Sequence, residues 1–171
     1  AGAQIFPDGN HLLLLGNEPG HGIRLWVQDM SGETRRPIAP EGVRTPPFAT
    51  EAVSPDGKWV VGLPPDGGIT LYPVDGGTPR PVPSVVPGET PVGWSADGGS
   101  LYVGLREPLP LTIFRIAVAT GKRTPWREIS GPPDRAGLRV GFTISIGRDE
   151  RSFAYSYSRA LHDLYIARGL R

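Results

Sequence analysis

Few residues in this chain have the types and spacing to do chemistry. Gly93-Trp94-Ser95-Ala96-Asp97 approaches the Gly-x-Ser-x-Gly turn that presents a nucleophilic serine, but Asp97 stands at its last position. That turn also joins a strand to a helix, whereas the residues after Asp97 read as the second arm of a β-hairpin. His162-Asp163, with Ser156 and Ser158, supplies the residue types of a catalytic triad, yet neighbouring strand residues point to opposite faces. His11, His21 and His162 are too scattered for metal-ligand spacing, and no acidic cluster resembles a calcium loop. Asp56-Gly57 and Asp66-Gly67-Gly68 lack the following helix and the Gly-Lys-Ser/Thr ending of a phosphate-binding loop. Asp29 and Glu33 are most simply turn residues. The pattern offers no catalytic residue and calls for no metal or cofactor.

The 171 residues carry 18 basic and 17 acidic side chains, a net charge of +1 with the signs interspersed. Such a balance argues against nucleic acid as the main partner. With no cysteine there is no disulfide, thiolate nucleophile or Cys-ligated metal. The longest apolar run, residues 12–15, is far too short to span a bilayer. No signal peptide is visible, and Ala1 already lies in a strand-like pattern, so a fragment of a longer protein is expected. Glycine and proline sit at turns between apolar runs of strand length, where they act as punctuation.

The elements that would carry any site are organised around Ser54-Pro55-Asp56-Gly57-Lys58-Trp59-Val60-Val61. Pro55 presets φ for the second position of a type I turn, and Ser54 and Asp56 suit the positions beside it. Gly57 is expected to take the left-handed conformation that re-aligns the two arms of a hairpin. Variants recur at Phe6-Pro7-Asp8-Gly9, Ser95-Ala96-Asp97-Gly98 and Gly147-Arg148-Asp149-Glu150, with aspartates 48, 41 and 52 residues apart. Roughly 40–50 residues is the period of propeller blades. Asp8, Gly9, Asp56, Gly57, Asp97, Gly98 and Asp149 are therefore assigned as structural turn residues. Glu150 stands where glycine is preferred, and a left-handed glutamate costs roughly 1–2 kcal/mol, so a different or longer turn is expected there.

Around each turn the same order repeats: strand, turn, strand, loop, strand, turn, strand. This predicts an all-β chain, a β-propeller of about four four-stranded blades, the last three-stranded, forming part of a larger ring. The blades span approximately 3–40, 48–83, 90–129 and 140–167. In the last, strands are expected over 140–146, 152–157 and 161–167. Trp26, Tyr72, Phe114 and Tyr165 are read at one place in the third strands, where an aromatic fills the wedge between blades. Arg36-Pro37, Arg80-Pro81 and Thr124-Pro125-Trp126 mark fourth strands. Proline lacks the amide donor that a central strand needs, and arginine there is read as a solvated edge charge.

Four-stranded units with a Ser/x-Pro-Asp-Gly turn resemble the TolB-type, WD-like β-propeller repeats of bacteria, closest over residues 54–59 and 69–77. The run Leu14-Leu15-Gly16-Asn17-Glu18-Pro19-Gly20 with Arg24-Leu25-Trp26-Val27-Gln28-Asp29 is similar to C-terminal propellers of large bacterial proteins, many with an N-terminal serine/threonine kinase or DNA-binding domain. The resemblance implies a non-catalytic sensing or protein-binding module, periplasmic or otherwise extracytoplasmic in the kinase case. The alternative is the propeller that gates a prolyl-oligopeptidase-like hydrolase.

Binding is expected on one face, where the loops between second and third strands and those between blades gather. His21, Arg44, Arg106, Arg135 and Arg159 are the candidate contacts there for a protein or small ligand, with Glu18, Asp66, Glu89 and Glu107 nearby. Upstream blades of the same chain are the further expected partner. The inner faces of the first and last units would lack neighbouring blades and leave several large apolar side chains exposed, and the strand at 161–167 would have a free edge. The fragment alone is therefore expected to be marginal or self-associating.

Overall fold

The computed structural model describes residues 2–32, 34–46, 51–105, 109–134, 136–139 and 143–160. Among them every regular element is a strand. The first sheet runs β1 (Gly2–Ile5), β2 (His11–Gly16), β3 (Arg24–Asp29) and β4 (Arg35–Pro37), each antiparallel to the last. The second contains β5 (Trp59–Gly62), β6 (Thr70–Pro73) and β7 (Arg80–Pro81), with a bridge from Val53 to Val60 at its inner edge. The third is complete: β8 (Thr90–Trp94), β9 (Ser100–Gly104), β10 (Leu111–Ala117) and β11 (Arg123–Ile129). The fourth unit consists, among the described residues, of two separate two-stranded sheets: β13 (Ile144–Ile146) pairs with β14 (Phe153–Tyr155), and β12 (Leu138–Arg139) pairs with β15 (Ser158–Arg159). The pairing of β12 with β15 was not expected from the sequence. The strand expected over 161–167, with His162, Asp163 and Tyr165, lies outside the described residues.

The sheets stack as blades because alternate residues of each strand face opposite ways. Leu13, Leu25 and Val27 of blade 1 meet Val60, Tyr72 and Val74 of blade 2. The other side of blade 2, with Val61, Ile69 and Leu71, meets Leu101, Val103 and Ile116 of blade 3. Tyr102, Leu111 and Ile113 then meet Ile144, with Phe153 and Tyr155 packed behind. Three apolar layers between four consecutive sheets define an arc of a β-propeller.

The aromatic column is less regular than the sequence pattern. Trp26 pairs with Leu14 and Phe114 with Val103, each the sixth residue after its turn aspartate. Tyr72 pairs with Val60, the fourth residue after Asp56, so Thr70 holds the equivalent place in blade 2. A shift of two residues keeps Tyr72 on the same side of its sheet, because the pleat has period two.

The four turns share one hydrogen-bond pattern. The amides of Gly9, Gly57, Gly98 and Glu150 donate to the carbonyls of Phe6, Ser54, Ser95 and Gly147 at 2.8–3.0 Å. The Asp8, Asp56, Asp97 and Asp149 carboxylates accept from the amides of Asn10, Lys58, Gly99 and Arg151 at 2.9–3.1 Å. Glycines 9, 57 and 98 have φ of 72°, 71° and 69°, and Glu150 has 53°. The fourth turn is thus neither different in type nor longer. Glu150 takes the left-handed conformation because its side chain is held from blade 3: Oε1 accepts from the Ala96 amide at 2.9 Å and Oε2 from the Tyr102 hydroxyl at 2.8 Å.

The edge arginines are also more engaged than solvated charges. Arg36 donates to the Val74 carbonyl of the next blade and lies 3.8 Å from Asp75. Arg35 covers the Trp26 ring and Arg80 the Trp59 ring, contacts in which the ring quadrupole attracts the cation.

Candidate binding groove

After β4 the chain crosses to blade 2, and this crossing builds one side of a concave surface. Gly42 donates to the Ile23 carbonyl at 2.7 Å with φ of 88°, and Pro65 packs where a Cβ would project. Val43 is fully buried, so the next residue is turned outward. Arg44 is locked by a reciprocal backbone pair with Leu63, 3.1 and 2.7 Å, at the mouth of the loop between β5 and β6. On the other side, β1 and β2 contribute a wall that includes Ala3, Leu13 and Leu15. The Gln4 side chain accepts from the Ala52 amide at 2.9 Å and ties the two inner edges together.

The result is a groove of about 900 Å3 with aliphatic and proline walls. Arg44 is its one charged lining residue among those described. No described carboxylate forms an ion pair with Arg44, whereas Arg35 pairs with Glu18, Arg123 with Glu89 and Arg159 with Asp134. An exposed guanidinium beside an apolar trough suits a ligand that is apolar along its length and carries one carboxylate.

Of the other described candidate contacts, neither His21 nor Arg159 lines this groove. His21 Nδ1 lies 3.0 Å from Glu41 Oε1, and Oε2 of Glu41 accepts from the Gly22 amide. That amide, and then His21, hold the Glu41 carboxyl below the usual range. Arg159 donates to both the carboxylate and the carbonyl of Asp134 at 2.6 and 2.7 Å. Arg106, Arg135 and Glu107 lie outside the described residues.

Glu89, expected among the solvated loop charges, is 7% exposed. It accepts two hydrogen bonds from Arg123, at 2.5 and 2.7 Å, and one from the Val86 amide at 2.9 Å. Arg123 in turn covers the Phe114 ring. The groove walls escaped the sequence reading because leucines and prolines also serve core and turns. Pro46 and the pair Pro64-Pro65, which line the groove, were the available signal.

No family model matches the sequence, and no curated relative matches it. Solved structures do resemble the fold. TolB from Acinetobacter baumannii aligns with a TM-score of 0.60 and 18% identity over 91% of this chain and 42% of that one. Putative TolB from Agrobacterium tumefaciens aligns at 0.55 and 23% over 96% of this chain and 62% of that one. An oligogalacturonate lyase in complex with manganese aligns at 0.55 and 16% over 88% of this chain and 50% of that one. The chain thus spans 42–62% of the length of these structures. At such identities the likeness is one of architecture, a TolB-type β-propeller.

Proposed function

We propose that this chain is a non-catalytic binding or sensing module of a longer bacterial protein, and that its contact site is the groove beside Arg44. The observation that carries this reading is the combination of aliphatic and proline walls with a guanidinium that pairs with no described carboxylate, on an Arg44 backbone fixed by hydrogen bonds to Leu63. The occupant is an extended protein segment: apolar side chains lie in the trough, and a carboxylate reaches Arg44. Loops on a rigid scaffold are a common place for such contacts. In this reading the propeller follows another domain, such as a serine/threonine kinase, and works outside the cytoplasm.

The test uses a displayed library of random dodecapeptides with free α-carboxylates, selected on the chain and measured by fluorescence anisotropy. Arg44→Glu is expected to weaken selected peptides at least about tenfold, the scale of a charge-assisted pair. Leu63→Asp is expected to do the same. Unchanged affinity in both variants, with loss in variants of the Asp56 face, overturns the assignment of the site. Hydrolysis of a bound peptide by the chain overturns its non-catalytic character.

A further inference from the structure

The side of blade 1 turned away from blade 2 repeats, residue for residue, a surface that elsewhere in the molecule is an interface. In blade 3, Val103 and Phe114 form one cross-strand pair, Phe114 continues to Pro125, and Arg123 lies over the Phe114 ring. In blade 1, Leu14 and Trp26 form the matching pair, Trp26 continues to Pro37, and Arg35 lies over the Trp26 ring. Arg35 and Arg123 both stand two residues before these prolines.

The two surfaces differ in what covers them. Blade 3 receives Val61, Ile69 and Leu71 of blade 2, and Val103 is 0% exposed. On blade 1, Leu12 and Leu14 are only half buried, and Ile5, on the same side, is 59% exposed. An open depression of about 450 Å3 lies over Ala3, Leu14, Trp26 and Arg35. The far side of blade 4 offers no such surface among the described residues, since Ser145 and Ala154 face outward there. The sequence reading expected apolar faces at both ends; the alternation Ile-Ser-Ile and Phe-Ala-Tyr supplies large side chains only toward blade 3.

We infer that the outer face of blade 1 is the docking surface of a further blade of the same polypeptide, one that presents an aliphatic face of the kind formed by Val61, Ile69 and Leu71. The argument is continuity with the interface between blades 2 and 3. The charge pattern agrees: Arg123 is met by Glu89 of the connection entering blade 3, and Arg35 stands ready for a carboxylate in a connection entering blade 1. Glu18, itself exposed and 2.8 Å away, holds Arg35 meanwhile. A second copy is the weaker occupant, because its own aliphatic face of blade 2 is already buried.

The 171 residues contain no cysteine, so a thiol reporter there has no background, and the encoded polypeptide without the added cysteine serves as its own blank. Leu14→Cys and Val103→Cys are placed, in separate proteins, in the 171-residue chain and in the polypeptide as its gene encodes it, and Ellman reactivity is followed over a range of protein concentration. In the encoded polypeptide the thiol at 14 is expected to react as slowly as the one at 103. In the 171-residue chain at low concentration it is expected to react at least about tenfold faster than the one at 103. A thiol at 14 that stays reactive in the encoded polypeptide overturns the inference. So does one protected in the 171-residue chain at every concentration, which would mean that the blades close on themselves, or one protected only by raising concentration in both proteins, which assigns the face to a second copy. Leu14→Lys is a second readout: it is expected to lower the thermal midpoint of the encoded polypeptide only, and equal midpoints there contradict a docked blade.

Discussion

The turns at Asp97-Gly98 and Asp149-Glu150 have one backbone and two solutions. In the first, glycine meets the left-handed conformation without steric cost, and its neighbour in the preceding blade is Pro55, 3.5 Å from where a Cβ would project. In the second, glutamate adopts φ of 53° and spends its carboxylate on the preceding blade, at the Ala96 amide and the Tyr102 hydroxyl. Arg115 stands 3.7 Å from the same carboxylate. Burial, and then the Glu150 carboxylate, push the Tyr102 hydroxyl well above its usual range, so it remains a donor at all ordinary pH. The comparison teaches that this turn position looks toward the blade before it. A side chain there is tolerated when it makes contacts worth more than the strain.

The largest effect should come from Glu150→Ala, which keeps the left-handed strain and removes both acceptors. A destabilisation of about 3 kcal/mol is expected, the sum of one charge-assisted bond to a buried hydroxyl and one to an amide, read from urea unfolding. Glu150→Gly removes the same bonds but also the strain, and should be less harmful by about 1–2 kcal/mol. Equal losses in the two variants would mean that the turn carries no strain.

A smaller effect is expected at the glycine turn. Gly98→Ala introduces left-handed strain with no carboxylate to offset it, a loss of about 1 kcal/mol by the same measurement. A neutral result would remove the difference between the two turns.

The smallest effect is electrostatic. The Asp97 carboxyl is held below its ordinary 3.8 by the Ser95 hydroxyl and the Gly99 amide. Asp149 is held below it by the Ser152 amide and hydroxyl and then by the Arg151 amide. Burial works against Asp56, but the Ser54 hydroxyl and the Lys58 amide outweigh it. Because each folded carboxyl is the stronger acid, its contribution is fully present above the unfolded value near 3.8 and disappears as pH falls through the lower folded values. The thermal midpoint should therefore be flat from neutral pH to about 5 and fall steadily below 4. In Asp97→Asn the acid slope should be shallower, and an unchanged slope would show that the turn carboxyl has no part in it.

What the sequence determined by itself was whatever lies within a few residues of its cause. The Asp-Gly turns were legible because Pro55, Asp56 and Gly57 act on backbone groups no more than five positions away, and the strands because the pleat repeats every second residue. Tertiary structure decided the rest. Glu89 read as a loop charge until Arg123, 34 residues on, buried it. Glu150 read as a misplaced glycine until Tyr102, 48 residues earlier, gave it a partner. Arg44 was legible as a candidate by its loop, but its groove exists only because residues 2–4, 13, 15 and 63–65 converge there. Pairings of that range are set by which sheet faces meet, and a list of residue types does not contain that geometry.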